Sequence, residues 1–244
     1  MEDVIKFKKR IESAIERSYM GNVVLLPFLD ETYGAILEEM CKYQKAPFEK
    51  YGKIINADRN RYILSQYDVS DDDFKIVVYK IKYNKKYYEI NHRNVLGSLM
   101  GLGIKRESLG DIVINNGDVY IACTEEISKF IESEFKFVGK APIELEECNE
   151  RIENVIRYED KNYFISSLRI DCVISAIYGI SRSEAQELII EGLVQVNHII
   201  NMNVSHVLKI DDIVSVRHKG KFKVTALNGK TRSDRLNVTL SKRV

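Results

Sequence analysis

Residues 168–197, LRIDCVISAIYGISRSEAQELIIEGLVQVN, decide the fold of the last third of the chain. Apolar residues recur at helical spacing up to Gly179, and glycine most readily takes the left-handed conformation that ends a helix. A second helix is predicted to begin at residues 181–184, SRSE. This is the spacing of a capping box, in which the serine hydroxyl accepts from the glutamate amide and the glutamate side chain reaches back. Gly192 then ends this helix, so the stretch predicts a short helical hairpin.

A small, basic sheet is predicted beside this hairpin. Its strands are the alternating stretches 193–197, 211–216, 219–224 and 236–240. Side chains alternate between the two faces of a strand, so the lysines and the apolar residues of 219–224 are expected on opposite faces. The lysines are Lys219, Lys221 and Lys223. A face of cations suits a phosphate backbone, and a merely solvated face is the alternative.

The net charge conceals this basic region. The whole chain has 37 Lys and Arg against 36 Asp and Glu, a formal net charge of +1, which by itself argues against a nucleic-acid binder. From Arg217 onward, however, nine residues are basic and only Asp234 is acidic, whereas 144–159 is rich in acids. A basic segment of this kind favours nucleic-acid binding.

Arg182 is the most informative single residue of the hairpin. It lies in the first turn of the predicted second helix, where the helix dipole disfavours a cation, so a negative group is expected beside it. One interpretation is an ion pair with Glu191, Asp171 or Glu187. The other is a phosphate shared between the guanidinium and the free amides of the helix start. The residues alone leave both open.

The middle of the chain predicts a ferredoxin-like domain. Its elements are a strand at 75–83, a helix at 93–102, strands at 111–115 and 118–123, a helix at 126–135 and a strand at 143–145. Asn116-Gly117 between the paired strands is a strong hairpin signal, because both residues accept the positive φ of a type I′ turn. This β-α-β-β-α-β order is shared by the RRM class of RNA binders. No strand carries the glycine-rich run with paired aromatics on which an RRM stacks bases.

The first seventy residues predict a small α/β domain. Helices are expected at 4–19 and 32–43, with strands at 23–26 and 61–65, and the acidic cluster 70–73 marks a boundary. We therefore expect an α+β protein. Its domains are an N-terminal α/β domain at 1–74, an RRM-like ferredoxin-fold domain at 75–150, a linker at 151–164 and an RNA-binding domain at 165–244.

Other motifs are weak. The four cysteines are widely spaced and predict reduced, buried thiols in a cytoplasmic protein, and no signal peptide or membrane span is predicted. The glycines of 97–103 lack the order of a phosphate loop. His198, His206 and His218 lack metal-site spacing, so we expect no metal or cofactor.

The residues of the hairpin and sheet resemble the S4 RNA-binding domain. The matching positions are Arg169-x-Asp171, Ser181-Arg182-x-x-Ala185, Gly192-x-Val194-x-Val196-Asn197 and Asp212-Ile213-Val214-x-Val216. The resemblance implies an αL-type module that binds structured RNA through its helix pair and adjoining loops. The contacts it implies are Arg169, Ser181, Arg182 and Asn197, to which the basic tail adds Arg217, Lys219, Lys221 and Lys223. Glycine often follows this asparagine in S4 domains, whereas here His198 does.

The middle segment resembles the YlmH family of bacterial proteins. The matching residues are 91–93, NHR, then 96–107, LGSLMGLGIKRE, and 110–112, GDI. The resemblance implies an S4 domain after an RRM-like domain. It also implies a non-catalytic, monomeric factor that binds ribosomal RNA and tRNA on the large ribosomal subunit, in quality control of stalled peptidyl-tRNA. We expect no small-molecule substrate for this protein. The middle-domain RNA candidates are His92, Arg93, Lys105 and Arg106.

Two other functions remain open from the sequence. S4 domains are also joined to RNA-modifying enzymes such as pseudouridine synthases and methyltransferases, but no catalytic constellation is evident in the roughly 165 residues that precede this one. An older label ties the family to cell division, which implies an interaction scaffold.

Overall fold

The computed structural model describes residues 4–217 and 219–243, and the chain divides into two units, Met1–Val155 and Ile156–Val244. Both mix helices with antiparallel sheet, so the predicted α+β class is confirmed. Among the helices of the described residues, none is long and apolar enough to cross a membrane.

The first part of unit 1 packs two helices on a small sheet. Its elements are α1 (Val4–Tyr19), β1 (Val24–Leu25), α2 (Glu31–Gln44), β2 (Phe48–Tyr51) and β3 (Arg61–Leu64), with sheet order β1-β3-β2. The helix α1 forms because Phe7, Ile11 and Ile15 line one face, and all three are buried. Asp30 caps α2 by accepting from the Tyr33 amide. The strand β2 was not predicted, because its FEKY sequence is half polar.

The second part of unit 1 is the predicted ferredoxin-like domain. Its elements are β4 (Ile76–Tyr83), α3 (His92–Gly101), β5 (Leu109–Asn115), β6 (Asp118–Thr124), α4 (Glu125–Glu134), β7 (Phe137–Val138) and β8 (Ala141–Glu147). The antiparallel sheet has the order β5-β6-β4-β8-β7, which is the ferredoxin-like order with the short β7 added. Asn116 and Gly117 both take positive φ, 50° and 82°, as the predicted turn requires.

The two parts of unit 1 share a core. Phe28 and Ile63 from the first part pack with Val113 and Tyr120 from the second. Gly110 permits this contact, because a Cβ there would lie 2.8 Å from the Phe28 ring. The described residues of 4–74 and those of 75–150 therefore share one core within unit 1.

Unit 2 packs a helix pair on one antiparallel sheet. Its elements are β9 (Tyr158–Ile165), α5 (Ile170–Tyr178), α6 (Arg182–Ile190), β10 (Val194–Val196), β11 (Ile199–Ile200), β12 (Ile213–Val216), β13 (Gly220–Lys230) and β14 (Leu236–Arg243). The sheet order is β11-β10-β12-β13-β14-β9. Buried residues of the helices, such as Val173 and Ala185, share one core with Val214, Phe222 and Val238 of the strands.

The predicted linker is too long. Residues 158–164 were assigned to it, yet together with Ile165 they form β9, which pairs with β14 from Ile165↔Leu236 to Tyr158↔Arg243. The sequence YEDKNYFI gives no apolar alternation because most of this edge strand is exposed. Its place in the sheet is therefore set by backbone pairing with β14.

Candidate nucleic-acid interface

The centre of the helix pair is the buried carboxylate of Asp171, in the first turn of α5. Arg182 donates to it from Nη2 at 2.6 Å, and Arg169 donates from Nε and Nη2 at 3.2 Å each. Gln186 donates from Nε2 at 2.8 Å, and the Cys172 amide donates at 2.9 Å. Asp171 is 0% exposed, so one buried anion joins both helices.

This network keeps Asp171 charged. Burial alone would raise the pKa of the carboxyl, but hydrogen bonds from Arg182, Arg169 and Gln186 outweigh burial and hold the pKa well below its usual range. Asp171 is therefore an anion at neutral pH, and it fixes the direction of two guanidinium groups.

The structure pairs Arg182 with Asp171, one of the three acids expected from the sequence. The pair leaves the cation accessible, because the side chains of Arg182 and Arg169 remain 52% and 36% exposed. Two cations share one anion, so the cluster has a net charge of +1. Arg182 can therefore form the ion pair with Asp171 and still present a cation that a phosphate can reach.

Ser181 and Asn197 each form hydrogen bonds within unit 2. The Ser181 hydroxyl accepts from the Glu184 amide at 3.1 Å, which is the serine half of the predicted capping box. Among the described residues the return bond to the Glu184 side chain is not formed. Asn197 donates from Nδ2 to Asp212 at 2.8 Å and accepts from the Ile213 amide at 3.0 Å. These bonds fix the turn after β10, where Asn197 and His198 take φ of 49° and 69° without glycine. RNA contact by either residue stays a prediction.

The expected row of three lysines is only partly correct. Phe222 and Val224 are buried, and Lys221 and Lys223 lie on the opposite, outer face, where Lys223 pairs with Asp211 at 2.8 Å. Lys219 precedes the strand, because β13 begins at Gly220, which pairs with Val216. Strand alternation therefore does not govern its side chain.

Lys219 instead lies near a tyrosine on the helix side of the sheet. Its Nζ is 6.0 Å from the centre of the Tyr178 ring, and Lys242 Nζ is 5.2 Å from the same centre. Tyr178 packs edge-on against Phe222 with ring centres 6.2 Å apart. Within the described chain neither ammonium has a salt bridge. Lys242 is a candidate contact that sequence reasoning missed, since no pattern links it to Tyr178.

The middle-domain candidates are in unit 1, whereas the S4 candidates are in unit 2. His92 and Arg93 begin α3 and are exposed, and Asn91 caps this helix by accepting from the Asn94 amide at 2.9 Å. Lys105 is exposed, whereas Arg106 is half-buried and donates to two backbone carbonyls. Arg217 lies exposed in the turn after β12. RNA contact by all five stays a prediction.

Among the described residues, no group of three or more His, Cys, Asp and Glu side chains could hold a metal ion. His198 and His206 lie in the turns of unit 2, and His218 lies outside the described residues. The four cysteines are free and buried, as expected, and burial raises the pKa of Cys123 to about 12.

Comparisons with known proteins agree with this architecture. Residues 70–151 match a family model described as "Putative RNA-binding domain in YlmH", and residues 168–214 match the S4 domain. The Ribosome-associated protein quality control protein P2 of Bacillus subtilis is 30% identical over 222 residues, which span 89% of this chain and 86% of that protein. A solved structure, the cell division protein ylmH from Streptococcus pneumoniae, is similar in fold. It has a TM-score of 0.52 and 22% identity, and the match covers 59% of this chain and 89% of that one.

These matches confirm the resemblance seen in residues 91–112 and in the S4 positions, and they support an RNA-binding role. The chain belongs to the YlmH family of S4-domain proteins.

Proposed function

We propose that this protein is a non-catalytic factor that binds ribosomal RNA and tRNA on the large ribosomal subunit and acts on subunits that carry stalled peptidyl-tRNA. The observation that carries the proposal is the Asp171 cluster, in which one buried anion holds Arg169 and Arg182 with their outer edges in solvent. Guanidinium groups fixed in this way suit phosphate, because their planar N–H forks match its oxygens.

The cluster is selective for charge rather than for sequence. Phosphate contacts set the position of a protein on RNA, whereas base contacts read sequence. Lys219 and Lys242 add two cations on the helix side of the same unit, both beside Tyr178. The arginines of the helix pair and the two lysines beside Tyr178 therefore favour binding to a folded RNA, on which phosphates are displayed in a fixed array.

The ribosome as the partner is supported by the relative from Bacillus subtilis, whose name describes a ribosome-associated quality control protein. The non-catalytic role is supported by the Asp171 carboxylate. This carboxylate is fully buried and held ionised by three side-chain donors, so it suits a structural anchor better than a general base.

Binding to purified large subunits tests the proposal. The full-length protein, Arg182→Glu and Lys219→Glu are compared across a salt series, with Lys129→Glu on the exposed surface of α4 as the matched charge reversal. We expect the first two variants to lose at least about tenfold in affinity, because each replaces an attractive contact by a repulsive one. Lys129→Glu is expected to bind as the parent does.

Two further arms test the finer claims. Subunits that carry peptidyl-tRNA are compared with vacant subunits, and tighter binding to the former is expected. Mass-spectrometric mapping of rRNA and tRNA after incubation is expected to show no new modified base. Undetectable binding, or binding that both S4 variants leave unchanged, contradicts the proposal, and a new modified base establishes the enzyme instead.

A further inference from the structure

A cleft of about 490 Å³ lies in unit 1, where α1 and α2 face the loop before β5. Its cationic lining consists of Arg10, Arg59, Lys105 and Arg106, and its acidic lining consists of Asp30 and Glu107. Apolar groups supply the rest of the wall, among them Tyr33 and Met100. The cleft therefore combines an excess of positive charge with an apolar surface.

Two of the arginines are held in place by backbone carbonyls. Arg59 donates from Nε to Leu109 at 3.0 Å and from Nη2 to Phe28 at 3.0 Å and to Arg106 at 3.2 Å. Arg106 donates from Nη1 to Leu109 at 2.9 Å and to Gly110 at 3.0 Å. In the described chain no acceptor is bonded to Nη1 of Arg59 or to Nε and Nη2 of Arg106.

The charges of these two arginines are not neutralised by direct contact. Neither forms a salt bridge with a carboxylate in residues 4–217 or 219–243. Burial and the neighbouring Arg59 charge lower the pKa of Arg106 to about 10. Asp30 and Asp111 offset part of this charge from a greater distance, but Asp30 also caps α2. Two adjacent half-buried cations are costly without a contacting anion.

We propose that this cleft binds a phosphorylated nucleoside, free or as an unpaired residue of an RNA. The phosphate meets the unused donors of Arg59 and Arg106 together with Lys105, and the base lies against the apolar wall near Tyr33 and Met100. A volume of about 490 Å³ suits a small-molecule-sized ligand. Unpaired RNA bases are commonly held by aromatic rings and arginine planes. Only the RNA-borne form of the ligand rests on the proposed function.

Titration of the full-length protein with AMP, adenosine and inorganic phosphate tests the proposal by calorimetry and by NMR shifts of residues 28–33 and 100–107. We expect saturable AMP binding, with adenosine and phosphate each at least about tenfold weaker, since each lacks one half of the contacts. Saturation by adenosine or by phosphate with the affinity of AMP overturns the proposal, as does the absence of saturable AMP binding.

The variants are chosen to separate binding from folding. Lys105→Glu alters an exposed side chain at the rim, and Arg106→Gln removes a cation that also holds the loop. Each is expected to weaken AMP binding at least about tenfold, and Lys129→Glu, which does not line the cleft, is expected to leave it unchanged. If Arg106→Gln fails to fold, Lys105→Glu decides. AMP binding that Lys105→Glu leaves unchanged overturns the proposal.

A single-stranded oligoribonucleotide of ten residues distinguishes the two sources of the ligand. Displacement of AMP by the oligonucleotide supports an RNA residue in the cleft, and AMP binding without displacement supports a free nucleotide. Arg182→Glu in unit 2 is expected to leave AMP binding intact. If neither the parent nor any variant binds large subunits while the parent still binds AMP, the proposed function fails and the cleft assignment stands.

Discussion

Arg182 in the first turn of α6 donates to the buried Asp171 in the first turn of α5 at 2.6 Å. This bond joins the two helices and also sets the direction of a half-exposed guanidinium. We therefore propose Asp171 as a positioning residue for RNA binding, because it holds Arg169 and Arg182 without facing solvent itself.

Replacement of Asp171 tests this role. Asp171→Asn keeps the size of the side chain but removes the charge that three side-chain donors share. We expect unit 2 to lose about 1–3 kcal/mol of unfolding free energy, since hydrogen bonds to charged groups are the stronger ones and the exposed arginines are partly screened. Chemical denaturation measures the loss.

RNA affinity separates positioning from stability. Under conditions where Asp171→Asn is fully folded, large-subunit binding is expected to fall, because Arg169 and Arg182 lose their common anchor. The control Asp234→Asn breaks only the exposed pair with Lys230 and is expected to change stability by less than about 1 kcal/mol. Full affinity in folded Asp171→Asn would show that the anchor is purely structural.

The salt dependence of binding tests the lysines around Tyr178. Neutralising one phosphate releases condensed counterions, and each lost contact lowers the slope of log K against log salt by about 0.7–0.9. Lys219→Ala with Lys242→Ala is expected to lower it by about twice that value. The control Lys230→Ala removes a lysine already paired with Asp234 and is expected to leave the slope nearly unchanged. Equal slopes for the parent, the double variant and the control would show that Lys219 and Lys242 do not contact RNA.

Much of the fold follows from local sequence. The caps at Ser181 and Gly179, the Asn116-Gly117 turn and the ferredoxin-like element order are decided by residues close together in the chain. The strand β9 was missed because its place depends on pairing with β14, more than seventy residues away. Local patterns carry no information on such pairing.

The candidate site was harder to predict than the fold. Sequence placed Asp171 among three acids beside Arg182, and only the packing of α5 on α6 selects it. Gln186 and Arg59 were missed for the same reason, because each acts on partners from another element. Lys219 was placed on the wrong face because the start of β13 depends on its register with β12.

Backbone conformation predicts opposite effects for two glycines. Gly179 ends α5 at φ 64°, and a Cβ there meets open space, so Gly179→Ala is expected to cost about 1 kcal/mol through backbone strain alone. Gly97 lies inside α3, also in open space, and Gly97→Ala is expected to add about 0.5–1 kcal/mol. Thermal unfolding of the two variants compares them directly. Equal effects would show that the backbone conformation of the glycine does not decide the outcome at these two positions.

Asp111 predicts the pH dependence of unit 1. Burial raises the pKa of its carboxyl from 3.8 to about 6, although the Asp58 amide donates to it at 2.7 Å. The folded state then holds a proton that the unfolded state releases, so the contribution of Asp111 to stability rises as pH falls from about 6 toward 4. The slope is at most about 1.4 kcal/mol per pH unit. Denaturation midpoints of the parent between pH 4.5 and 7.5 are expected to carry this component. The Asp111→Asn variant has no carboxyl to titrate and is expected to lack this pH-dependent component. If the parent and the variant have the same pH profile, the pKa of Asp111 is not raised.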